Sequence, residues 1–128
     1  MPDQPLPNSV RQFIARHLRS IEQLEILLLF SGGAGAPWTV QSVYDSILSS
    51  LPSIQRWMDE FVQTGFLESD GAVPPHYRYI GKTEDTETIA ELAQFYKTMP
   101  VRVIEAIYKK GADPAQGFAD AFKLKPDQ

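Results

Sequence analysis

Apolar residues recur every three or four positions through most of this chain, which is the spacing of one buried face of an α-helix. The first such stretch follows a proline-rich arm, residues 1–7, and extends to about Leu18. Asn8 or Ser9 is its expected N-cap, because a short side-chain oxygen satisfies the free amides of a first turn. The apolar face predicted for this helix is Val10, Phe13, Ile14 and Leu18.

A second helix is predicted from about Ile21 to Phe30. Ser20 and Gln23 have the spacing of a capping box, which marks a helix N-terminus. The second half of this segment is apolar nearly all round, so we expect the rest of the protein to surround it. A glycine-rich loop, residues 31–37, should end it, and the next two residues are a short extended piece at most.

Two further helices are predicted between residues 39 and 65. Thr39 is the expected cap of the third helix, whose apolar face is Val40, Val43, Tyr44, Ile47 and Leu48. Ser53 is the expected cap of the fourth, whose apolar face is Ile54, Trp57, Met58, Phe61 and Val62. Trp57 therefore belongs to the core rather than to a stacking surface. Gly65 suits the position just after a helix C-terminus.

The pattern changes to two short strands after Gly65, at residues 66–69 and 76–80, joined by the turn sequence "DGAVPP". Tyr77 and Tyr79 should share one face of the second strand and pack on the core. Helical spacing then returns from Thr86 to Lys110. A break is expected near Pro100, with a new helix beginning at Met99, because proline inside a helix costs about 3 kcal/mol outside the first turn.

The order helix, helix, turn, helix, hairpin over residues 21–80 resembles the winged helix-turn-helix superfamily. The segments that carry the resemblance are "SIEQLEILLLF", "WTVQSVYDSIL", "SIQRWMDEFVQTGFLE" and "HYRYIG". The resemblance implies a mainly α fold with a small β-hairpin, a winged helix-turn-helix with extra N- and C-terminal helices. We expect one domain over residues 1–128: an arm and helix (1–19), the winged core (20–82), C-terminal helices (83–110) and a tail (111–128).

The resemblance also implies a function, that of a DNA-binding transcriptional regulator. The helix from Ser53 to Thr64 would enter the major groove of double-stranded DNA, and the hairpin would flank it. The candidate DNA-binding residues are Ser53, Gln55, Arg56, Gln63, His76, Arg78, Lys82 and Arg11. Arg56 is alternatively a solvated charge, or a partner of Glu60 one turn away. The terminal helices resemble those that dimerise such regulators, so a homodimer is expected.

The distribution of charge favours a different function. The formal net charge is −4, and between residues 21 and 70 the only basic side chain is Arg56 against seven carboxylates. Asp59 and Glu60 would be repelled by phosphates. The alternative is therefore a winged-helix module that binds a protein partner and no DNA. The tail offers Phe118, Phe122 and Leu124 as candidate partner-binding residues, which bind either a partner or their own domain.

Several kinds of site are not expected. The chain has no cysteine and only two histidines, His17 and His76, which are far apart in sequence, so we expect no metal site and no cofactor. No side chain has a recognisable nucleophile setting, and an enzyme is not expected. The longest apolar run, Ile26 to Phe30, is far short of the ~20 residues of a membrane span. The beginning of the sequence lacks signal-peptide features, and we expect a cytoplasmic protein.

Overall fold

The computed structural model describes residues 6–33 and 35–109, which form helices and one two-stranded antiparallel sheet. The mainly α composition with a small hairpin is therefore as predicted. No helix of these ranges is long and apolar enough to cross a membrane. The elements in chain order are α1 (Asn8–His17), α2 (Ile21–Ser31), α3 (Val40–Ser46), α4 (Leu51–Thr64), β1 (Leu67–Ser69), β2 (Tyr77–Tyr79), α5 (Thr83–Thr98) and α6 (Pro100–Lys109).

Helix α2 lies at the centre of the core, as its apolar sequence predicted. It contacts α4, α5 and β2, and the side chains of Leu24, Ile26 and Leu27 are fully buried. Burying one such side chain contributes roughly 1.5–3 kcal/mol, so this helix supplies a large share of the hydrophobic stabilisation. The outer helices close around it, because α1 packs on both α5 and α6.

Two of the predicted N-caps are wrong. Helix α1 begins at Asn8 itself, its N-cap position is Pro7, and no side chain caps it. Helix α4 begins at Leu51 with Ser50 as its cap, so Ser53 lies inside the first turn. With Ser50 as the cap, Pro52 lies in the first turn of the helix, where proline loses no hydrogen bond. The caps predicted at Ser20 and Thr39 are confirmed, as each hydroxyl accepts the amide three residues later.

Helix α3 is shorter than its apolar spacing predicts. The chain is extended at Ile47, with φ −124° and ψ 128°, which ends the helix at Ser46. Ile47 is still buried, but Leu48 now turns fully into solvent and Tyr44 is 41% exposed. The prediction that Tyr44 and Leu48 belong to the buried face is therefore wrong. The core face of α4 is confirmed, since Ile54, Trp57, Met58 and Phe61 are all buried.

The hairpin follows the predicted order, and Gly65 precedes it in a left-handed conformation with φ +90°. Strands β1 and β2 are antiparallel, with Glu68 opposite Arg78. Tyr77 is buried and Tyr79 half-buried, whereas Arg78 between them is exposed. Trp38 forms a single antiparallel bridge with Tyr77, in which each amide donates to the carbonyl of the other, at 2.8 and 2.7 Å. The sheet is thus linked to the segment before α3.

The C-terminal helical segment is divided into two helices next to Pro100. Helix α5 begins at Thr83, three residues before the predicted start, and ends at Thr98. Helix α6 begins at Pro100, one residue after the predicted Met99, so that the proline occupies the first turn. The tail, with the candidate partner-binding residues Phe118, Phe122 and Leu124, lies outside the described residues.

Candidate functional site

The outward face of α4 forms a shallow depression on the opposite side from its buried apolar face. The residues that line it are Pro52, Gln55, Arg56, Asp59, Glu60 and Gln63. Three predicted DNA-binding residues, Gln55, Arg56 and Gln63, therefore share one surface with both acidic residues of the helix. What this surface can bind depends on which of these groups are already paired.

Glu60 is held by the junction between α1 and α2. Its carboxylate accepts from Arg19 Nη2 at 2.5 Å and from Gln23 Nε2 at 3.3 Å. Gln23 is the one polar side chain of the described chain that is fully buried. Its amide also accepts the backbone N–H of Arg19 at 2.6 Å and donates to the carbonyl of His17 at 3.0 Å. Glu60 is therefore neutralised by Arg19, and α4 is fixed to the start of α2.

Gln55 is occupied by contacts inside the protein. Its Nε2 donates to Asp59 Oδ1 at 2.9 Å and to the Tyr77 hydroxyl at 3.0 Å. A glutamine that recognises adenine forms two hydrogen bonds with the base, and one of them uses an N–H donor of the glutamine side-chain amide. Both donors are used here, and they tie α4 to β2. Gln55 would have to leave these partners before it could contact a base.

Arg56 is exposed and lies against the core tryptophan. Its guanidinium carbon is 5.6 Å from the ring centroid of Trp57, and that of Arg19 is 5.4 Å from the same ring. A cation over a tryptophan face gains roughly 0.5–1 kcal/mol at an exposed site. Trp57 itself is buried, as predicted. Arg56 does not pair with Glu60, because Arg19 occupies that carboxylate.

The hairpin carries two charge pairs of its own. Arg78 contacts Glu68, its cross-strand neighbour, through Nε at 2.7 Å and Nη2 at 2.5 Å. His76 Nδ1 lies 3.1 Å from Asp70 Oδ2. Both pairs are exposed, so each contributes little to stability. Their effect is on recognition, because His76 and Arg78, both predicted to bind DNA, already face carboxylates.

Asp70 also closes the loop of the hairpin. Its Oδ1 accepts the backbone N–H groups of His76 and Ala72, both at 2.9 Å. The His76 amide and then the Ala72 amide hold the pKa of this carboxyl below its ordinary value of 3.8. Because these bonds favour the charged form, the loop is fully supported above that ordinary value and loses support only as the pH falls through the lower pKa of the folded state.

A pH titration of the Asp70 carboxyl carbon by NMR checks this closure. We expect its midpoint below 3.8 in the folded protein, and the amide signals of Ala72 and His76 should shift at the same pH. The same carboxyl in the urea-unfolded chain should titrate at a higher pH. An equal midpoint in the two states would show that the amides do not hold the carboxylate.

The other predicted DNA-binding residues lie at several places in the fold. Ser53 points toward α2, where its hydroxyl donates to Glu22 Oε1 at 2.8 Å. Lys82 is exposed at the position just before α5. Arg11 donates to Asn8 at 3.0 Å in the first turn of α1, at the far end of that helix from the Arg19–Glu60 pair. Gln63 is exposed beside Glu60, and the structure shows no side-chain partner for it among the described residues.

A second surface, the α3–α4 corner, was missed in the sequence because Tyr44 and Leu48 were assigned to the buried face of α3. We define it by Tyr44, Leu48 and Leu51, of which Leu48 is fully exposed and the other two are each 41% exposed. Glu22 lies beside it and accepts from the hydroxyls of Ser49 and Ser53. A sequence signal was present: Ser50 lies three residues before Ser53, and Pro52 suits a first turn. Together they indicate a helix that begins at Leu51, and Leu51 would then lie at the surface.

Comparison with known proteins adds no relative, since no family model, curated protein or solved structure matches this chain. Within residues 6–33 and 35–109, no group of three or more histidine, aspartate or glutamate side chains converges as metal ligands would. What this surface does is therefore argued from its own contacts.

Proposed function

We propose that the protein is a winged helix-turn-helix module that binds a segment of another protein through the α3–α4 corner. The order α2, α3, α4 and hairpin, with Trp38 bridging to β2, supports the winged-helix assignment. In this fold α4 would be the helix that enters a DNA groove and β1–β2 the wing. The distribution of charge on those elements argues for a different partner.

The exposed side chain of Leu48 carries the proposal. Tyr44, Leu48 and Leu51 are large apolar side chains that are exposed within eight consecutive residues, and exposed apolar patches mark binding sites. Two carboxylates accompany this corner: Asp45 lies in the same stretch of chain, and Glu22 accepts from the hydroxyls of Ser49 and Ser53. The partner that fits is a segment with an apolar face bordered by lysine or arginine, such as a basic amphipathic helix.

The electrostatics of α4 and the hairpin are unsuited to phosphates. The four cations there, Arg19, Arg56, Arg78 and Lys82, are matched by four carboxylates, Asp59, Glu60, Glu68 and Asp70. Arg19 and Arg78 form ion pairs with two of them. Six to ten phosphate contacts are common for a specific DNA-binding protein. Of these four cations, Arg56 and Lys82 have no carboxylate partner in the described part of the chain.

A synthetic amphipathic peptide provides a direct test of the α3–α4 corner. We expect a fluorescent helix of leucine and lysine, about 14 residues or four turns long, to bind the protein. A leucine–glutamate helix of equal length should not bind, because it meets Asp45 and Glu22. Leu48→Ser should weaken binding about tenfold or more, since burying a leucine side chain contributes roughly 1.5–3 kcal/mol.

Val73→Ser is the matched control, because Val73 is an equally exposed apolar residue in the hairpin loop. It should leave the affinity for the leucine–lysine peptide unchanged. Equal affinities of the wild type, Leu48→Ser and Val73→Ser would mean that the peptide does not use the corner, and the proposal would fail.

A DNA-binding regulator is the second candidate. It is supported by Arg56, which is exposed on the outward face of α4, where a groove-binding helix would present its base-reading side chains. Arginine pairs with guanine in a bidentate way. Such a protein would act as the homodimer predicted from the sequence, because dimerisation doubles each basic contact. Loss of duplex DNA binding on Arg56→Ala would favour this function over the first.

A further inference from the structure

Helix α6 has an apolar side that the described protein leaves uncovered. Val103 and Ile107 are buried against the core, as an amphipathic helix requires. Val101, Ile104 and Tyr108 lie on another side of the helix and are 64%, 37% and 56% exposed. We call these three residues the α6 stripe. They follow the i, i+3, i+7 spacing of one helical face.

The α6 stripe has a fixed orientation. The Tyr108 hydroxyl accepts the backbone N–H of Ile21 at 3.0 Å, which anchors the end of α6 to the start of α2. Tyr108 is seven positions after Val101, so the stripe is about 10 Å long at 1.5 Å per residue. It is a short, preformed apolar surface that requires no rearrangement before a ligand binds.

The size of the α6 stripe excludes a second copy of the chain as its sole occupant. A standard protein interface contains roughly 20–30 residues on each side, and three side chains are far fewer. A short segment of the same chain avoids the loss of translational freedom, because a tether sets an effective concentration in the millimolar range. A small apolar surface can therefore hold a tethered segment that it could not hold as a separate molecule.

The sequence after α6 provides such a segment. Residues 110–128 follow the helix directly, and their large apolar side chains are Phe118, Phe122 and Leu124. Residues 110–117 lie between α6 and Phe118. At full extension these eight residues span about 26–29 Å, more than twice the length of the stripe. The connection is therefore long enough for Phe118 to reach either end of it.

We propose that Phe118, Phe122 and Leu124 dock on the α6 stripe of the same molecule. Two aromatic side chains and a leucine match the three exposed side chains in number and chemistry, and an aromatic pair with Tyr108 gains roughly 0.5–1.5 kcal/mol beyond its buried area. The tail then covers the outer side of α6 and leaves the α3–α4 corner open. This docking does not depend on the function proposed for that corner.

Paramagnetic relaxation in the full-length protein tests the docking, and the absence of cysteine makes the labelling specific. A nitroxide is attached to Ala121→Cys in a ¹⁵N-labelled chain. We expect the amide signals of residues 101–108 to broaden more strongly than any others of the described chain. Adding Phe118→Ser and Phe122→Ser to the labelled chain should restore the signals of α6. These substitutions lie outside the folded residues described above, so they should leave the remaining spectrum intact.

A mixed sample distinguishes docking within one molecule from docking between two. It contains ¹⁵N-labelled chains without nitroxide and unlabelled chains with nitroxide. We expect no broadening of residues 101–108 in this mixture. Strong broadening of residues 101–108 in this mixture would show that the stripe binds the tail of a second copy. Signals of α6 that stay sharp in the first sample, or broadening centred on the α3–α4 corner, would also overturn the proposal.

Discussion

Replacing Gln23 by leucine is expected to lower the free energy of unfolding by about 2–4 kcal/mol, because the change leaves buried polar groups without partners. Leucine has a similar volume, so no large cavity results. It cannot accept the Arg19 amide, donate to the His17 carbonyl or contact Glu60. Urea unfolding followed by circular dichroism measures the loss, provided that both variants unfold in one transition.

Gln12→Leu is the matched control for this substitution. Gln12 is exposed on α1, so the same chemical change there should alter stability by no more than about 0.5 kcal/mol. A loss for Gln23→Leu as small as that of the control would mean that water replaces the glutamine in all three contacts. The junction between α1, α2 and α4 would then not depend on this side chain.

Removing three carboxylates from α4 and the hairpin is expected to create an affinity for DNA. In Glu60→Gln, Glu68→Gln and Asp70→Asn combined, each amide keeps one acceptor oxygen while Arg19 and Arg78 lose their counter-charges. Non-specific protein–DNA complexes have dissociation constants of about 10⁻⁴–10⁻⁶ M. We expect the triple variant to enter this range at about 50 mM salt and to weaken steeply as salt is added.

A second triple variant controls for total charge. Glu84→Gln, Glu87→Gln and Glu91→Gln remove the same three charges from exposed positions of α5. Fluorescence anisotropy of a labelled duplex compares the two variants. We expect at least tenfold tighter binding by the first, because it frees Arg19 and Arg78 from their ion pairs, whereas the second leaves both pairs intact. Equal affinities would show that net charge rather than ion pairing keeps the wild-type surface from DNA.

The positions of the helices and of the hairpin could be predicted because local patterns determine them. Apolar spacing placed Ile54, Trp57 and Phe61 in the core, and Gly65 was expected to end α4. The same spacing failed at α3, since it continues to Leu48 although the extended backbone at Ile47 ends the helix. Periodicity cannot detect such an ending, because the side chains keep their spacing after the backbone has changed direction. The α3–α4 corner was missed for this reason.

The electrostatics of the site depend on contacts between distant residues. The Arg19–Glu60 pair joins positions 41 residues apart, so the sequence could show both charges and not their neutralisation. The pairing of Glu68 with Arg78 was accessible in principle, since the register of a hairpin places them opposite each other. We propose that pairing removes these cations from phosphate recognition and leaves the apolar corner as the binding surface.

One NMR experiment tests this proposal most directly. The ¹⁵N-labelled wild-type protein is titrated, in two parallel series, with the leucine–lysine helix and with a mixed-sequence DNA duplex at about 50 mM salt. We predict that the peptide shifts the amide signals of residues 44–51 and that the duplex shifts none. Shifts of residues 55–63 and 76–82 with the duplex, together with an α3–α4 corner that the peptide leaves unchanged, would contradict this prediction.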